Sequence, residues 1–385
     1  MINPARLKFL KIAICLGLLG GIIFSFELWF SFERTFPRVP FFFASPVAVD
    51  RLLAIILVGS LTAAIFFQKL KIFLITAIAS LILLIFFDQI RLQPWVYQYL
   101  LLLVVIALTR HEPASEQTLG LAQIVIAGFY FWSGVQKLNF AFLHETLPML
   151  FAPLHDLFPS IQPPFVFFGV AIALIESLIG IALLIRKTRH TAVCFAIATH
   201  AIILIFLVAK NYNSIVWIWN AALIFLVVSA FWRSENSLKK LFSAAGDWRV
   251  FSAKSIVAAF VFLPVLSFFG WWDMYLSGAL YSGNTEIAVI RINDEVFEKL
   301  PPAASQNVIQ TKNAGENFLP LFEWSIAELN APAYPEQRVS KRIAAEICDL
   351  TTDKKQLELI VKERPAIFDG SYKLARISCE QLEKR

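Results

Sequence analysis

Lys137 is the residue on which chemistry could turn. It sits near the end of FYFWSGVQKLN (129–139), where a single amine follows a long apolar, aromatic-rich run. Two readings of it are open. A lysine near the end of a membrane span can snorkel its ammonium to the interface, with the aromatics as an ordinary belt. Held dry instead, its charged form is penalised, and the amine becomes a base that works near neutral pH. A second group consists of Glu176, His200 and Asn220. The apolar runs carrying Glu176 and His200 are joined by the short turn RKTRH (186–190), so they pair as antiparallel neighbours. Counted from Thr188, Glu176 is twelve residues back and His200 twelve forward, both about 18 Å from the turn at 1.5 Å per residue. Asn220 falls within about one helical turn of that level. Ionisable groups so deep in a membrane face the bundle interior, either for function or as a hydrogen-bonded pair that fixes helix packing. The same counting puts Lys137 too far toward the surface to touch them.

The elements that must position these groups follow from composition. Hydrophobic residues make up 58% of 385 and charged residues only 16%, with a mean hydropathy of +0.67. Soluble domains carry about 25% charge, so this is a polytopic membrane chain. The net charge of +6 reports loop orientation rather than nucleic-acid binding, and no DNA-binding pattern, Walker loop, HExxH or GxSxG occurs. Nine apolar runs approach the length of about 20 residues that crosses a bilayer: 10–30, 52–68, 72–87, 93–109, 118–139, 164–185, 191–209, 214–232 and 255–272. With the N-terminus in the cytoplasm, the inner segments hold fourteen basic residues: Arg6, Lys8, Lys11, Lys69, Lys71, Arg110, Arg186, Lys187, Arg189, Arg233, Lys239, Lys240, Arg249 and Lys254. The outer turns hold five: Arg34, Arg38, Arg51, Arg91 and Lys210. That asymmetry predicts the C-terminus outside. The first span lacks a cleavage signature and reads as an anchor.

Past Trp272 the chain turns polar, and residues 275–385 read as an extracytoplasmic tail on a transmembrane domain of residues 1–274. TEIAVIRI (285–292) and QLELIVKE (356–363) alternate as strands, while PLFEWSIAEL (320–329) and EQRVSKRIAAEIC (336–348) have helical period. Such a tail is marginal in size, so it must pack on the membrane part or be stapled. Cys15 and Cys194 lie in spans as small apolar fillers. Cys348 and Cys379 lie in the tail, where an oxidising compartment allows a disulfide, and neither their number nor their spacing fits a metal site. The proline-punctuated loop 144–164 follows Lys137 as an interfacial or re-entrant cap, and its His144, Glu145, His155 and Asp156 read as solvated surface. DQIR (88–91) reads as an outer turn with a local ion pair.

SGVQKLNFAFL (133–143) resembles the AGVKKLD stretch of the vitamin K-dependent gamma-carboxylases, members of the horizontally transferred transmembrane (HTTM) domain family. DQIRLQPWVYQYLL (88–101) resembles that family's aspartate-initiated Tyr-x-Tyr segment, and IESLIGIALLIRKTR (175–189) its acidic-Ser-x-Gly helix ending in a basic turn. WWDMY and LYSGN (271–284) are similar to its exit from the last span. The similarity runs in order through residues 1–290, and more weakly into the tail. In the family's carboxylases the second lysine of KKL is the catalytic base. It deprotonates vitamin K hydroquinone, and the oxygenated product then removes a glutamate γ-proton before carbon dioxide adds. Lys137 stands at that position. The resemblance therefore implies a vitamin K-type or other quinol at an outward-facing cavity, with Trp95, Tyr97, Tyr99 and Tyr130 as its wall. Two features depart from the family. Trp95 stands where the carboxylases carry a histidine, offering one donor and no proton-accepting nitrogen. The tail is also much shorter than the lumenal region that grips protein substrates.

The expectation is an all-α polytopic membrane bundle of about nine transmembrane helices with a small C-terminal extracytoplasmic α+β tail. Its partners are membrane lipid, a quinol and a secreted or periplasmic peptide. The competing expectation is a non-catalytic membrane protein, transport-like or an assembly or immunity factor for a secreted partner, in which the same residues are structural.

Overall fold

In the computed structural model, which describes residues 4–109, 115–157, 164–211, 213–236, 241, 247–311, 317–351 and 357–383, the chain is mostly helical with one small sheet. Six helices are long and apolar enough to cross a membrane. They are α1 (Pro4–Phe24), α2 (Val47–Phe66), α5 (Ser115–Gln136), α7 (Phe165–Leu184), α8 (Arg189–Ala209) and α10 (Trp248–Phe262), the last continued by a 3₁₀ turn, Leu263–Phe269. These are the helices of an integral membrane protein. The other three apolar runs form shorter helices of 16 or 17 residues: α3 (Lys71–Phe87), α4 (Pro94–Thr109) and α9 (Ile215–Phe231). Their outer faces agree with a lipid environment: Phe9, Leu16 and Ile23 of α1 and Phe167, Leu174 and Leu178 of α7 are all exposed.

Small residues set the closest helix contact. A Cβ on Gly134 of α5 would come within 2.5 Å of the Ser177 backbone nitrogen of α7, and one on Gly180 within 2.5 Å of the Ala127 carbonyl. Only glycine lets the two backbones meet, the usual device of membrane helices that have no hydrophobic drive to associate. The C-terminal end of α7 is held by Arg189. Its guanidinium donates to the carbonyls of Leu183 and Leu184 and to those of Ser234 and Asn236 beyond α9. A cation on terminal carbonyls satisfies groups that the helix leaves unpaired.

The turn 88–91 is not a local ion pair. Asp88 pairs with Arg34 at 2.6 Å and Arg91 with Asp50 of α2 at 2.5 Å, all four side chains being at most 1% exposed. The apolar surroundings leave no water to solvate these charges, so each finds a partner from a different segment.

In the tail five antiparallel strands run in the order β2-β3-β1-β4-β5, comprising β1 (Ile287–Ile292), β2 (Ile309–Gln310), β3 (Asn317–Pro320), β4 (Glu358–Lys362) and β5 (Leu374–Ser378). Ile290 of β1 lies opposite Leu319 and Leu359. Helices α11 (Leu321–Leu329) and α12 (Gln337–Cys348) contribute Trp324, Val339, Ile343 and Ile347 to the same core. A disulfide joins Cys348 to Cys379. The tail sits directly on the bundle. Glu328 accepts from Thr35 and Phe36, the Trp324 ring packs at a tilt against Phe36 with centroids 4.7 Å apart, Gln93 donates to the Pro332 carbonyl, and Asn330 donates to the Phe24 carbonyl and the Ser214 hydroxyl.

Candidate functional site

Lys137 follows the last residue of α5 in a turn closed by its own backbone N–H on the Gly134 carbonyl at 3.1 Å. Asn139 locks that turn, donating to the Gln136 and Ser282 carbonyls while accepting from Phe142 N. Gln136 is pinned in turn by Ser267 and Asn284. The lysine side chain therefore folds back along the helix. Its Nζ donates to Ser133 Oγ at 2.7 Å, to the Ser133 carbonyl at 3.2 Å and to Glu176 Oε2 at 2.6 Å. The ammonium and carboxylate side chains are 13% and 12% exposed.

This contact corrects the depth counted along the spans, which separates Lys137 from Glu176. The count assumes that adjacent spans start level at the outer face. Gly134 meets Ala173 and Ser177, so α7 begins about two turns beyond the end of α5, and Glu176 comes level with the last turn of α5. Ser177, whose hydroxyl donates to the Ala173 and Phe131 carbonyls, fixes that register.

His200 and Asn220 form a second chain. His200 Nδ1 lies 2.7 Å from Asn220 Oδ1, and His200 Nε2 lies 2.5 Å from the Tyr130 hydroxyl. Asn220 Nδ2 donates to the Val216 carbonyl, which turns its oxygen toward the imidazole. Nδ1 must then carry the proton, and Nε2 accepts from Tyr130. Among the described residues no hydrogen bond joins Glu176 to His200. The two share a cavity instead of a contact.

That cavity encloses about 470 Å³ and draws its walls from α4, α5, α7, α8 and α9. Lys137, Glu176, Tyr130, His200 and Asn220 all line it, among mostly apolar and aromatic side chains such as Phe129, Phe142, Phe195, Phe206 and Trp219. The volume suits a drug-sized molecule, and the ion pair leaves the wall electrically neutral, which favours an uncharged ligand. The four aromatics proposed as wall divide. Tyr130 lines the cavity, whereas Trp95, Tyr97 and Tyr99 do not. Trp95 and Tyr99, four residues apart, share the face of α4 packed on Gly21 and Gly17 of α1. Tyr97 turns the other way, between Phe129 and Phe260 at ring-centroid distances of 6.2 and 6.0 Å. At 100° per residue, the residue of α4 that faces the cavity is Gln98.

Compared with known protein families, curated proteins and solved structures, the chain matches none.

No group of three or more His, Cys, Asp or Glu side chains able to hold a metal occurs among the described residues. His144 stacks on Phe140, and Glu145 pairs with Lys362 of β4. The side chains of His155 and Asp156 lie outside those described, while the backbone of 147–157 is helical, α6 (Leu147–Leu157). Sequence reasoning missed Gln98, Ser133 and Trp219. Ser133 had a visible signal, an i−4 hydroxyl before the lysine. Gln98 had one as well, an amide in the first half of an apolar run.

Proposed function

We propose that this chain is a nine-span membrane protein with its N-terminus in the cytoplasm and its tail outside, and that its cavity binds a quinol-type apolar ring and moves a proton at the ring's oxygen. The observation that carries this reading is the ion pair of Lys137 and Glu176, nearly dry and set in the wall of an otherwise apolar cavity. Within the pair a proton can pass from the ammonium to the carboxylate, leaving a neutral amine. A ring hydroxyl then gives its proton to that amine, and the resulting oxyanion rests beside a new ammonium. The resemblance of residues 133–143 to the HTTM carboxylases supports the choice of Lys137 and of a quinol. Trp95 in the place of the family histidine, and the short tail, argue against carboxylation of a protein substrate, so carbon dioxide has no part in the proposal.

Two observations support the topology. The disulfide Cys348–Cys379 suits an oxidising outer compartment. The tail also touches the end of α1, the α3–α4 turn, the start of α9 and the exit of α10, the ends that nine alternating spans put on one side.

One observation favours a second reading. Lys137 has three acceptors, Glu176 Oε2, Ser133 Oγ and the Ser133 carbonyl, as many as an ammonium has N–H bonds. The pair then fastens α5 to α7 in a non-catalytic protein that serves transport or a secreted peptide partner. The test is anaerobic binding of naphthoquinol to the detergent-purified chain, followed by quinol consumption under oxygen, for wild type and Lys137→Met. Binding with turnover that the variant loses supports the enzyme. If wild type neither binds nor consumes naphthoquinol or benzoquinol, the second reading stands.

A further inference from the structure

We infer that the open groove between α1 and α9 is a binding site for one anionic phospholipid of the leaflet in which α1 begins, with an acyl chain along the groove and the phosphate on Arg6. The groove shares no lining residue with the cavity, so the site stands whatever that cavity binds.

The groove holds about 670 Å³ on the outside of the bundle. Its floor is made of small side chains, Ala13 and Gly17 of α1 with Ala221 and Ala222 of α9, and the exposed Phe9, Leu16 and Phe225 stand along its edges. It closes where the two helices meet. A Cβ on Gly17 would come within 3.0 Å of the Ala222 methyl group, and one on Gly20 within 2.8 Å of the Ile218 side chain. From Arg6 to Gly17 the groove runs about 17 Å at 1.5 Å per residue. That is the hydrocarbon depth of one leaflet, about half of the roughly 30 Å core. An acyl chain fits such a trough along its length, and a compact solute does not.

The polar end is where a phosphate belongs. The Arg6 guanidinium donates to the Ser229 and Trp232 carbonyls at the end of α9. Those bonds use two of the five N–H groups of an arginine, and the other three have no partner among the described residues, in a side chain that is only half-buried at the groove. Ser229 lines the same end and adds a hydroxyl, while Trp232, 39% exposed, is the kind of residue that settles at headgroup level. Further cations gather on this stretch: Arg189 on the Ser234 and Asn236 carbonyls, Arg186 paired with Glu235, and Arg233 exposed. Even with Glu235 and Glu116 set against them, the four arginines leave the rim positive. Basic pockets between membrane helices recognise acidic headgroups. A phosphate takes the spare N–H groups of Arg6 as a charge-assisted pair, and the positive rim disfavours the choline of a zwitterionic lipid.

The experiment measures, by native mass spectrometry, binding of the first lipid to the delipidated full chain in detergent, for wild type, Arg6→Gln and Ala221→Phe. The lipids are phosphatidylglycerol and phosphatidylcholine with the same acyl chains. Wild type should bind phosphatidylglycerol about tenfold more tightly than phosphatidylcholine. Arg6→Gln should bring the two lipids within about twofold of each other. Ala221→Phe fills the trough without touching a charge, so it should weaken both lipids and keep their ratio. An arginine that only caps α9 lowers the melting temperature when replaced and leaves the lipid ratio at its wild-type value. That unchanged ratio, a wild type without preference, or undiminished binding in Ala221→Phe overturns the assignment. So does a lipid-free dimer that Ala221→Phe breaks, which gives the groove to a second copy. Should Arg6→Gln fail to fold, the wild-type ratio and Ala221→Phe decide.

Discussion

Removing the charges of Lys137 and Glu176 singly and together separates a dry ion pair from an incidental contact. At the observed 2.6 Å, two unit charges attract by about 6 kcal/mol if the effective dielectric is near 20. Desolvation and side-chain ordering offset part of that. Removing one partner leaves the other charged in a wall of aromatic and aliphatic groups, which costs about 3–5 kcal/mol for a buried pair. The Ser133 hydroxyl and carbonyl still solvate Lys137 when Glu176 is lost, and the slight exposure of both side chains admits some screening, so about 3 kcal/mol is expected for Lys137→Met and for Glu176→Gln. In Lys137→Met/Glu176→Gln no charge remains, and most of the loss is recovered. The coupling energy should then be about 2–4 kcal/mol. The assay is reversible unfolding of the detergent-purified chain by a denaturing detergent, followed by circular dichroism. Strictly additive losses, with a coupling below about 0.5 kcal/mol, would refute the claim that these two groups neutralise each other out of water.

Gly134→Ala should destabilise α5 against α7 by about 2–3 kcal/mol, because its methyl group meets the Ala173 carbonyl and the Ser177 backbone nitrogen as well as the Ser177 hydroxyl, and turning the hydroxyl aside does not relieve the backbone contacts; the same unfolding assay reads it. Tyr130→Phe strips His200 Nε2 of its donor and should cost about 1–3 kcal/mol, while Tyr130→Phe/His200→Phe should cost less than the two single losses combined. Burial first, and then the nearby charge of Asp273, raise the Glu336 carboxyl to about 7 from its ordinary 4.5. The folded tail therefore binds more protons than the unfolded one between those values, so thermal stability falls as pH rises through that window, by about 3 kcal/mol in all, and Glu336→Gln should flatten the dependence. Cys348→Ser or Cys379→Ser opens a crosslink spanning 31 residues and should lower tail stability by about 3 kcal/mol, measured as the change in melting temperature that a reductant produces in wild type and not in the variants.

Much of the architecture could be read from the chain because lipid imposes a coarse rule: an apolar run must become a helix, and each of the nine runs lies on one. The strands at 287–292 and 358–362 and the helices at 321–329 and 337–348 were equally plain, from period and from the prolines that open them. The partner strands at 309–310, 317–320 and 374–378 were not, since they are short and acquire their meaning only from the strands they pair with. In the site, Lys137, Glu176, His200 and Asn220 stood out as polar residues in apolar surroundings. Their connections did not, because the offset of α7 against α5 is decided by Gly134, Ser177 and Gly180, whose small size carries no signal until a second backbone lies against it. The aromatic wall was misread for a related reason. Trp95, Tyr97 and Tyr99 alternate around a helix that is buried on nearly every side, and hydrophobicity cannot tell which buried side holds the cavity.

Three residues past Lys137, the Phe140 backbone N–H donates to the Ile367 carbonyl in the loop between β4 and β5, and the Phe140 ring packs on Gly370. The chain around residue 275 thus marks a change of solvent and not a joint. The β4–β5 hairpin and the turn that carries Lys137 are moored to the same few peptide units, so the tail is no detachable appendage, and a version shortened after α10 would lose the contacts that brace this turn.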